Sequence, residues 1–232
     1  MKKGRNSLTA RDFYSDDGRE VIIALDPLKT PQQNAAKYYK EYTKARNAEK
    51  FLAEQIRHGE GELEYLESVM ESLALAEGER DLIDIRRELV QTGYIKAVTA
   101  GKVKMTESLP MRFESSAGFQ ILAGRNNIQN EKLTLKTAAK TDMWLHVQKL
   151  HGCHVIIRCG GEQPDEITLY EAATIAAYYS AARSGGKVPV DYTLVRHVKR
   201  QPGSRPGMVI YTDHKTIAAS PDEKLVMRLR RS

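Results

Sequence analysis

Asp142-Met-Trp-Leu-His-Val-Gln-Lys-Leu-His-Gly-Cys-His-Val-Ile-Ile-Arg158 is the stretch that decides how this chain reads. Two runs of alternating apolar and polar residues flank a short loop containing Gly152, the pattern of two antiparallel strands. Side chains alternate across a strand with period two. Met143, Leu145 and Val147 therefore share one face, and Asp142, Trp144 and His146 the other. On the return strand Cys153, Val155, Ile157 and Cys159 form the apolar face, opposite His154, Ile156 and Arg158. With residues 148–152 as the loop, His146 faces His154, Trp144 faces Ile156 and Asp142 faces Arg158. The only Trp of the chain, two His and an Arg then lie on one sheet face. Two readings fit. Left open to solvent, such a face stacks a base and holds a phosphate. Covered, it is a second core face, with Asp142 and Arg158 as a cross-strand ion pair.

Working outward, residues 119–123 read as a strand, and Gly124-Arg-Asn-Asn127 turns into a helix through Leu133. Arg125, Asn126 and Asn127 offer a guanidinium and two amides beside that turn. They suit phosphate or base edges, or equally the capping of a helix. Beyond the hairpin, residues 168–183 form an Ala- and Tyr-rich helix, and residues 191–198 and 208–211 further strands. Between those strands runs a basic Gly/Pro loop, Lys199-Arg-Gln-Pro-Gly-Ser-Arg-Pro-Gly207. With Arg196 ahead of it, Lys199, Arg200 and Arg205 are candidate phosphate contacts, and the glycines allow close backbone approach. Strands mixed with two helices predict an α+β domain over 112–232.

The upstream half is different. Residues 11–25 predict a small strand pair turning at Asp16-Asp17-Gly18. Thr30, Pro31 and Gln33 then have the spacing of a capping box with proline in the first turn. A heptad seam follows: Ala35, Tyr38, Tyr42, Ala45, Glu49, Leu52, and on through Ile56, Gly59, Leu63, Leu66, Met70 and Leu73. Ten of these twelve positions are apolar or aromatic, the signature of a left-handed coiled coil. The seam crosses Gly59 and Gly61 without a stutter, so one continuous helix of about 65 Å is expected over 31–75. A shorter helix over 81–91 ends at Gly93 and completes a segment spanning 1–95, followed by a linker over 96–111. The short helix is too small to cover the long seam. That leaves a second copy, a segment not in this chain, or another protein as its partner.

Twenty-eight per cent of the 232 residues are charged and no run of about 18 apolar residues occurs, which predicts no membrane partner. Met-Lys-Lys has no apolar stretch behind it, so no secretory signal is expected, and two lone cysteines suit a cytoplasmic location. The net charge of +6 comes from residues 111–232, the half that carries the Trp, His and Arg face. A basic domain with interleaved aromatics favours RNA.

Catalytic patterns are missing. Ser184-Gly-Gly-Lys-Val188 lacks the spacing of a phosphate-binding loop, and no nucleophile elbow or H-E-x-x-H occurs. His146, His151 and His154 invite a metal, but Cys153 points away from His146 and His154 and no CxxC is present. No enzyme, metal or cofactor is expected.

Several motifs in one order resemble a known family. Gly124-Arg-Asn-Asn127, Asp142-Met-Trp-Leu-His-Val147, Gly152-Cys-His-Val155, Glu171-Ala-Ala173 and Val188-Pro-Val-Asp-Tyr-Thr193 are similar to the NFACT-R domain. That domain closes the RqcH, FbpA (fibronectin-binding protein A) and NEMF family. Upstream, Phe13-Tyr14, Leu25-Asp26-Pro27, Asn34-Ala35 and Glu64-Tyr65-Leu66 resemble its middle coiled-coil region. The resemblance implies an α+β fold: a long coiled-coil helix followed by a mixed α+β NFACT-R domain. It also implies ribosome-associated quality control. Family members bind the large ribosomal subunit carrying peptidyl-tRNA, recruit tRNA and promote alanine tailing of stalled chains. The older family name implies fibronectin as the alternative partner. Measured against the family, the chain starts inside the middle region, so it is expected to be a C-terminal fragment. The N-terminal half of the family architecture is then the expected partner of the seam, and a homodimer through the coiled coil its substitute. Cys153 stands where the family usually has Ser.

Overall fold

The computed structural model describes residues 4–96 and 108–231, so most of the expected linker over 96–111 lies outside the described residues. The chain forms two compact units, residues 1–60 and 61–232. In the first, β1 (Ser7–Arg11) and β2 (Glu20–Ala24) pair antiparallel, with Ser7 opposite Ala24. The capping box at the start of α1 (Pro31–Ala74) is present in both directions. Thr30 N donates to Gln33 Oε1 at 2.8 Å, and Gln33 N donates to Thr30 Oγ1 at 3.2 Å. α1 runs through Gly59 and Gly61 unbroken.

The heptad seam is not buried. Tyr42, Leu52, Ile56, Leu63 and Met70 are exposed, and a coiled coil is not shown. In the second unit the face of α1 that packs is a neighbouring one, Tyr65 and Val69, set against Ile85 of α2 (Glu79–Gln91). A heptad count finds the broadest apolar stripe. It does not say which stripe meets a partner inside the same chain.

Seven strands form the main sheet in the order β10-β7-β5-β6-β4-β3-β11. In chain order the elements are β3 (Met111–Glu114), β4 (Gln120–Ala123), α3 (Asn127–Lys132), β5 (Met143–Val147), β6 (Val155–Ile157) and α4 (Glu166–Tyr178). They continue with β7 (Val188–Leu194), β8 (Val198–Arg200), β9 (Val209–Tyr211), β10 (Lys215–Ala219), α5 (Glu223–Leu229) and β11 (Arg230–Arg231). β8 and β9 form a separate two-stranded hairpin around the basic Gly/Pro loop.

Several expected boundaries move. α3 does not stop at Leu133 but widens into a π turn over Leu133–Thr137. The expected strand over 191–198 is broken after Leu194 by one tight turn, Val195–His197, which redirects the chain from β7 into β8. The helix expected over 168–183 starts earlier, capped by Asp165, whose side chain accepts from Thr168 N at 2.7 Å. The loop between β5 and β6 is longer than 148–152, because Gly152 bridges to Ser180 and pairing with β5 resumes only at Val155.

The register of the central hairpin is as the alternation requires, Trp144 opposite Ile156 and Leu145 opposite Val155. The open-face reading is corrected, because the sheet is covered on both sides. α4 packs on the face of Leu145, Val147, Val155 and Ile157. On the other face Trp144 and Ile156 pack with Leu133, Val195 and Val198. Trp144 is fully buried. The covering residues come from the π turn and the β8–β9 hairpin, far away in sequence. Among the described residues no helix is long and apolar enough to cross a membrane.

Candidate nucleic-acid interface

The structure sorts the candidate residues by what their polar atoms already do. Asn126 is the N-cap of α3 and accepts from Gln129 N at 2.8 Å, the capping role open to it from sequence. Asn127 is buried and its Nδ2 donates to Ser68 Oγ at 2.8 Å and Glu88 Oε1 at 3.0 Å, tying α3 to α1 and α2. Arg125 reaches Asp81 at 3.3 Å and Glu77 at 3.7 Å, and donates from Nε to Leu109 O at 3.1 Å.

The hairpin residues are equally committed. Asp142 is buried, accepts from Ala139 N at 2.8 Å and Cys159 N at 3.0 Å, and pairs with Arg158 at 3.3 Å. Arg158 also donates to Thr137 O at 3.0 Å. His146 lies nearly parallel to the Trp144 ring at 5.8 Å between centroids, and His154 meets both edge-on at 5.4 Å. His154 Nδ1 shares a 2.8 Å hydrogen bond with Thr134 Oγ1. Burial holds both imidazoles below their ordinary range, His146 at about 4 and His154 well below 6.5. His154 is buried with Nδ1 already engaged, so it is not a phosphate grip, while the His146 ring is half-buried and uncharged at neutral pH. Among the described residues no group of three or more His, Cys, Asp or Glu is placed to hold a metal ion.

Arg205 is a clasp. Its Nε donates to Glu62 Oε1 at 2.8 Å and its Nη1 to Thr92 O at 3.2 Å, while its guanidinium lies 5.2 Å from the Tyr94 ring centroid. It fastens the β8–β9 loop to α1 and to the turn after α2.

The remaining cations are the exposed ones. Arg196 and Lys199 are open to solvent, and Arg200 is exposed with a 3.6 Å contact to Glu131 and a hydrogen bond to Ser204 O at 3.2 Å. Two exposed lysines that the sequence pattern did not single out join them. Lys136 lies in the π turn against which β8 packs, and the Lys140 carbonyl accepts from Arg196 N at 3.2 Å. Lys136, Lys140, Arg196 and Lys199, with Arg200 and half-exposed Arg158 nearby, are exposed on adjoining backbone segments beside the Trp144 layer, a basic strip by position. The signal was present in the four-residue spacing of Lys132, Lys136 and Lys140. Exposed Lys and Arg along a surface strip can neutralise successive phosphates without base preference.

Comparison with known proteins divides the chain near residue 109. Residues 1–108 match the family model described as NFACT N-terminal and middle domains, and residues 110–213 the one described as NFACT protein RNA binding domain. The chain is 41% identical to the Rqc2 homolog RqcH of Bacillus subtilis (strain 168), over 100% of this chain and 41% of that protein. It is 37% identical to the Rqc2 homolog RqcH of Streptococcus pneumoniae serotype 2, over 95% of this chain and 39% of that protein. A solved structure, described as the C-terminal of the fibronectin/fibrinogen-binding protein from Streptococcus suis, superposes with a TM-score of 0.82 at 34% identity. That match covers 88% of this chain and 81% of the other. The chain spans about two-fifths of the length of the curated relatives it matches.

Proposed function

We propose a function from one premise: this chain belongs to the RqcH family of NFACT proteins. It acts in ribosome-associated quality control as an RNA-gripping adaptor. It holds the large ribosomal subunit that carries peptidyl-tRNA, contacts rRNA or tRNA phosphates, and supports alanine tailing of the stalled chain. The observation that carries this reading is the strip of Lys136, Lys140, Arg196 and Lys199, exposed on the unit that matches the RNA-binding family model. No bond is made or broken by the chain itself in this account. The fully buried Trp144 and His154 hold the surface in shape rather than touch RNA directly.

Co-sedimentation with purified large subunits bearing peptidyl-tRNA, across a salt series, tests this. Binding that weakens steeply with salt, and is lost on Lys140→Glu with Arg196→Glu, supports the reading. Salt-independent binding, or binding indifferent to those changes, refutes it.

A second reading rests on the solved relative described as fibronectin/fibrinogen-binding. It requires saturable binding to immobilised fibronectin at physiological salt by a chain that ignores ribosomal subunits.

A further inference from the structure

Beside the β8–β9 hairpin lies a cavity of about 510 Å³ within the second unit. This is in the range of about 300–1,000 Å³ that houses small organic ligands. Part of its lining is aromatic: Trp144, His146, His154 and Tyr211, with neighbouring ring centroids 4.8–5.8 Å apart. Tyr211 is braced from behind, its hydroxyl donating to Asp191 Oδ2 at 2.8 Å. Trp144 Nε1–H is buried without an acceptor among the described residues. The hairpin contributes Gly207, Met208 and Val209. α1 contributes Ser68, Ser72 and the carboxylates of Glu64 and Glu71. Lys149 stands exposed at the same lining.

These surfaces select a chemistry. Uncharged rings favour a planar heterocycle. The carboxylates of Glu64 and Glu71 accept hydrogen bonds, which favours a ligand that presents N–H groups to α1, and the serine hydroxyls can donate or accept. A phosphate set beside Glu64 and Glu71 would meet like charge, Asp81 being paired with Arg125, whereas one left outside would meet Lys149.

We propose that this cavity receives one unstacked nucleobase with an exocyclic amine at the adenine N6 or cytosine N4 position, its ring against the half-buried Tyr211 and His146 and its amine toward Glu71. The inference rests on the RNA reading above, with RNA lying on the basic strip as the source of the base. Uracil and guanine are discriminated against, because each offers a carbonyl where adenine and cytosine offer the amine. Gly207 belongs to the same construction. It sits at φ 84°, and a Cβ there would come 2.9 Å from Asn127 Cβ, so the hairpin closes against α3 only without a side chain.

Trp144 is the only Trp in the chain, so its fluorescence reports on this cavity alone. The experiment titrates the full chain with hexa-adenylate, hexa-uridylate and AMP, following Trp144 emission together with binding of labelled oligonucleotide. Hexa-adenylate is expected to change the emission saturably, and hexa-uridylate to bind at least about tenfold more weakly. Glu71→Gln should narrow that difference. Ser72→Phe, which fills the cavity from α1, should weaken hexa-adenylate about 10- to 100-fold, the loss of one stacked base. Salt-sensitive binding of both oligonucleotides with unchanged Trp144 emission, unaffected by either variant, overturns the pocket and leaves the basic strip standing. Absence of binding by either oligonucleotide overturns both. AMP saturating as tightly as hexa-adenylate overturns RNA as the source and assigns the cavity to a free nucleotide.

Discussion

Asn127 Nδ2 donates to Glu88 Oε1 at 3.0 Å, and Tyr65 Oη donates to the same oxygen at 2.9 Å. One buried carboxylate thus joins α1, α2 and α3, with Ile128 N closing on its other oxygen at 3.4 Å. Removing it strands three donors. Glu88→Ala is expected to destabilise the second unit by about 3 kcal/mol, measured by urea denaturation. Burial raises the Glu88 carboxyl above its ordinary value despite these donors. Its titration therefore favours folding most at pH below 4.5, and that contribution declines as pH rises through the raised value.

The His146 and His154 imidazoles work in the opposite direction. His146 and His154 are held below 6.5 by burial, so the unfolded chain binds more protons than the folded one between about pH 6.5 and 4. Their contribution to stability is complete above pH 6.5 and is lost as pH falls through that window. The urea midpoint should drop between pH 7 and pH 5, and His146→Gln should flatten the drop. An unchanged slope in that variant would show that other groups cause it.

Arg205 should separate from the phosphate-binding cations. Its contact with Glu62 is partly exposed, so Arg205→Ala is expected to cost only about 1 kcal/mol. Arg205→Lys should recover little, because an ammonium lacks the planar fork that reaches Glu62 and Thr92 O together beside the Tyr94 ring. RNA affinity of the folded fraction should not change in either variant. A loss of affinity as large as that of Arg196→Glu would place Arg205 in the interface instead.

Trp144→Ala removes a fully buried indole and is expected to cost about 3–5 kcal/mol. Thermal denaturation would show it. The effect on RNA binding should follow the folded fraction rather than the salt dependence.

Much of this arrangement was legible in the residues. Period-two alternation placed Trp144 opposite Ile156 and set Asp142 beside Arg158, and the structure has both. The Thr30 and Gln33 box marked the start of α1. What escaped was set by contacts distant in sequence. Nothing local in Asp142 to Arg158 says that Val195, Val198 and Leu133 will cover the Trp144 face. Asn126 and Asn127 read equally as ligands or as caps, and only the structure shows Asn126 engaged with Gln129 N and Asn127 with Glu88. Arg205 looked like the other loop cations until Glu62, 143 residues earlier, was placed beside it. Lys136 and Lys140 share a four-residue spacing in the sequence, but what sets Lys136 beside the other cations is the π turn lying against β8, which a helical pattern does not reveal. The strands β3, β10 and β11 carry short, mixed sequences and take their identity from their neighbours in the sheet.

If RNA phosphates are held by the exposed strip and not by the buried hairpin residues, the salt-dependent part of the grip must come from that strip. The most direct measurement is the salt dependence of binding to a short single-stranded RNA, for the unaltered chain and for Lys140→Glu, Arg196→Glu and Lys199→Glu combined. Affinity of the unaltered chain should fall steeply as salt rises. In the triple variant the slope of log affinity against log salt should shrink by about 2, or about 0.7 for each phosphate no longer neutralised. An unchanged slope in the triple variant, from a folded sample, would contradict a grip through this strip.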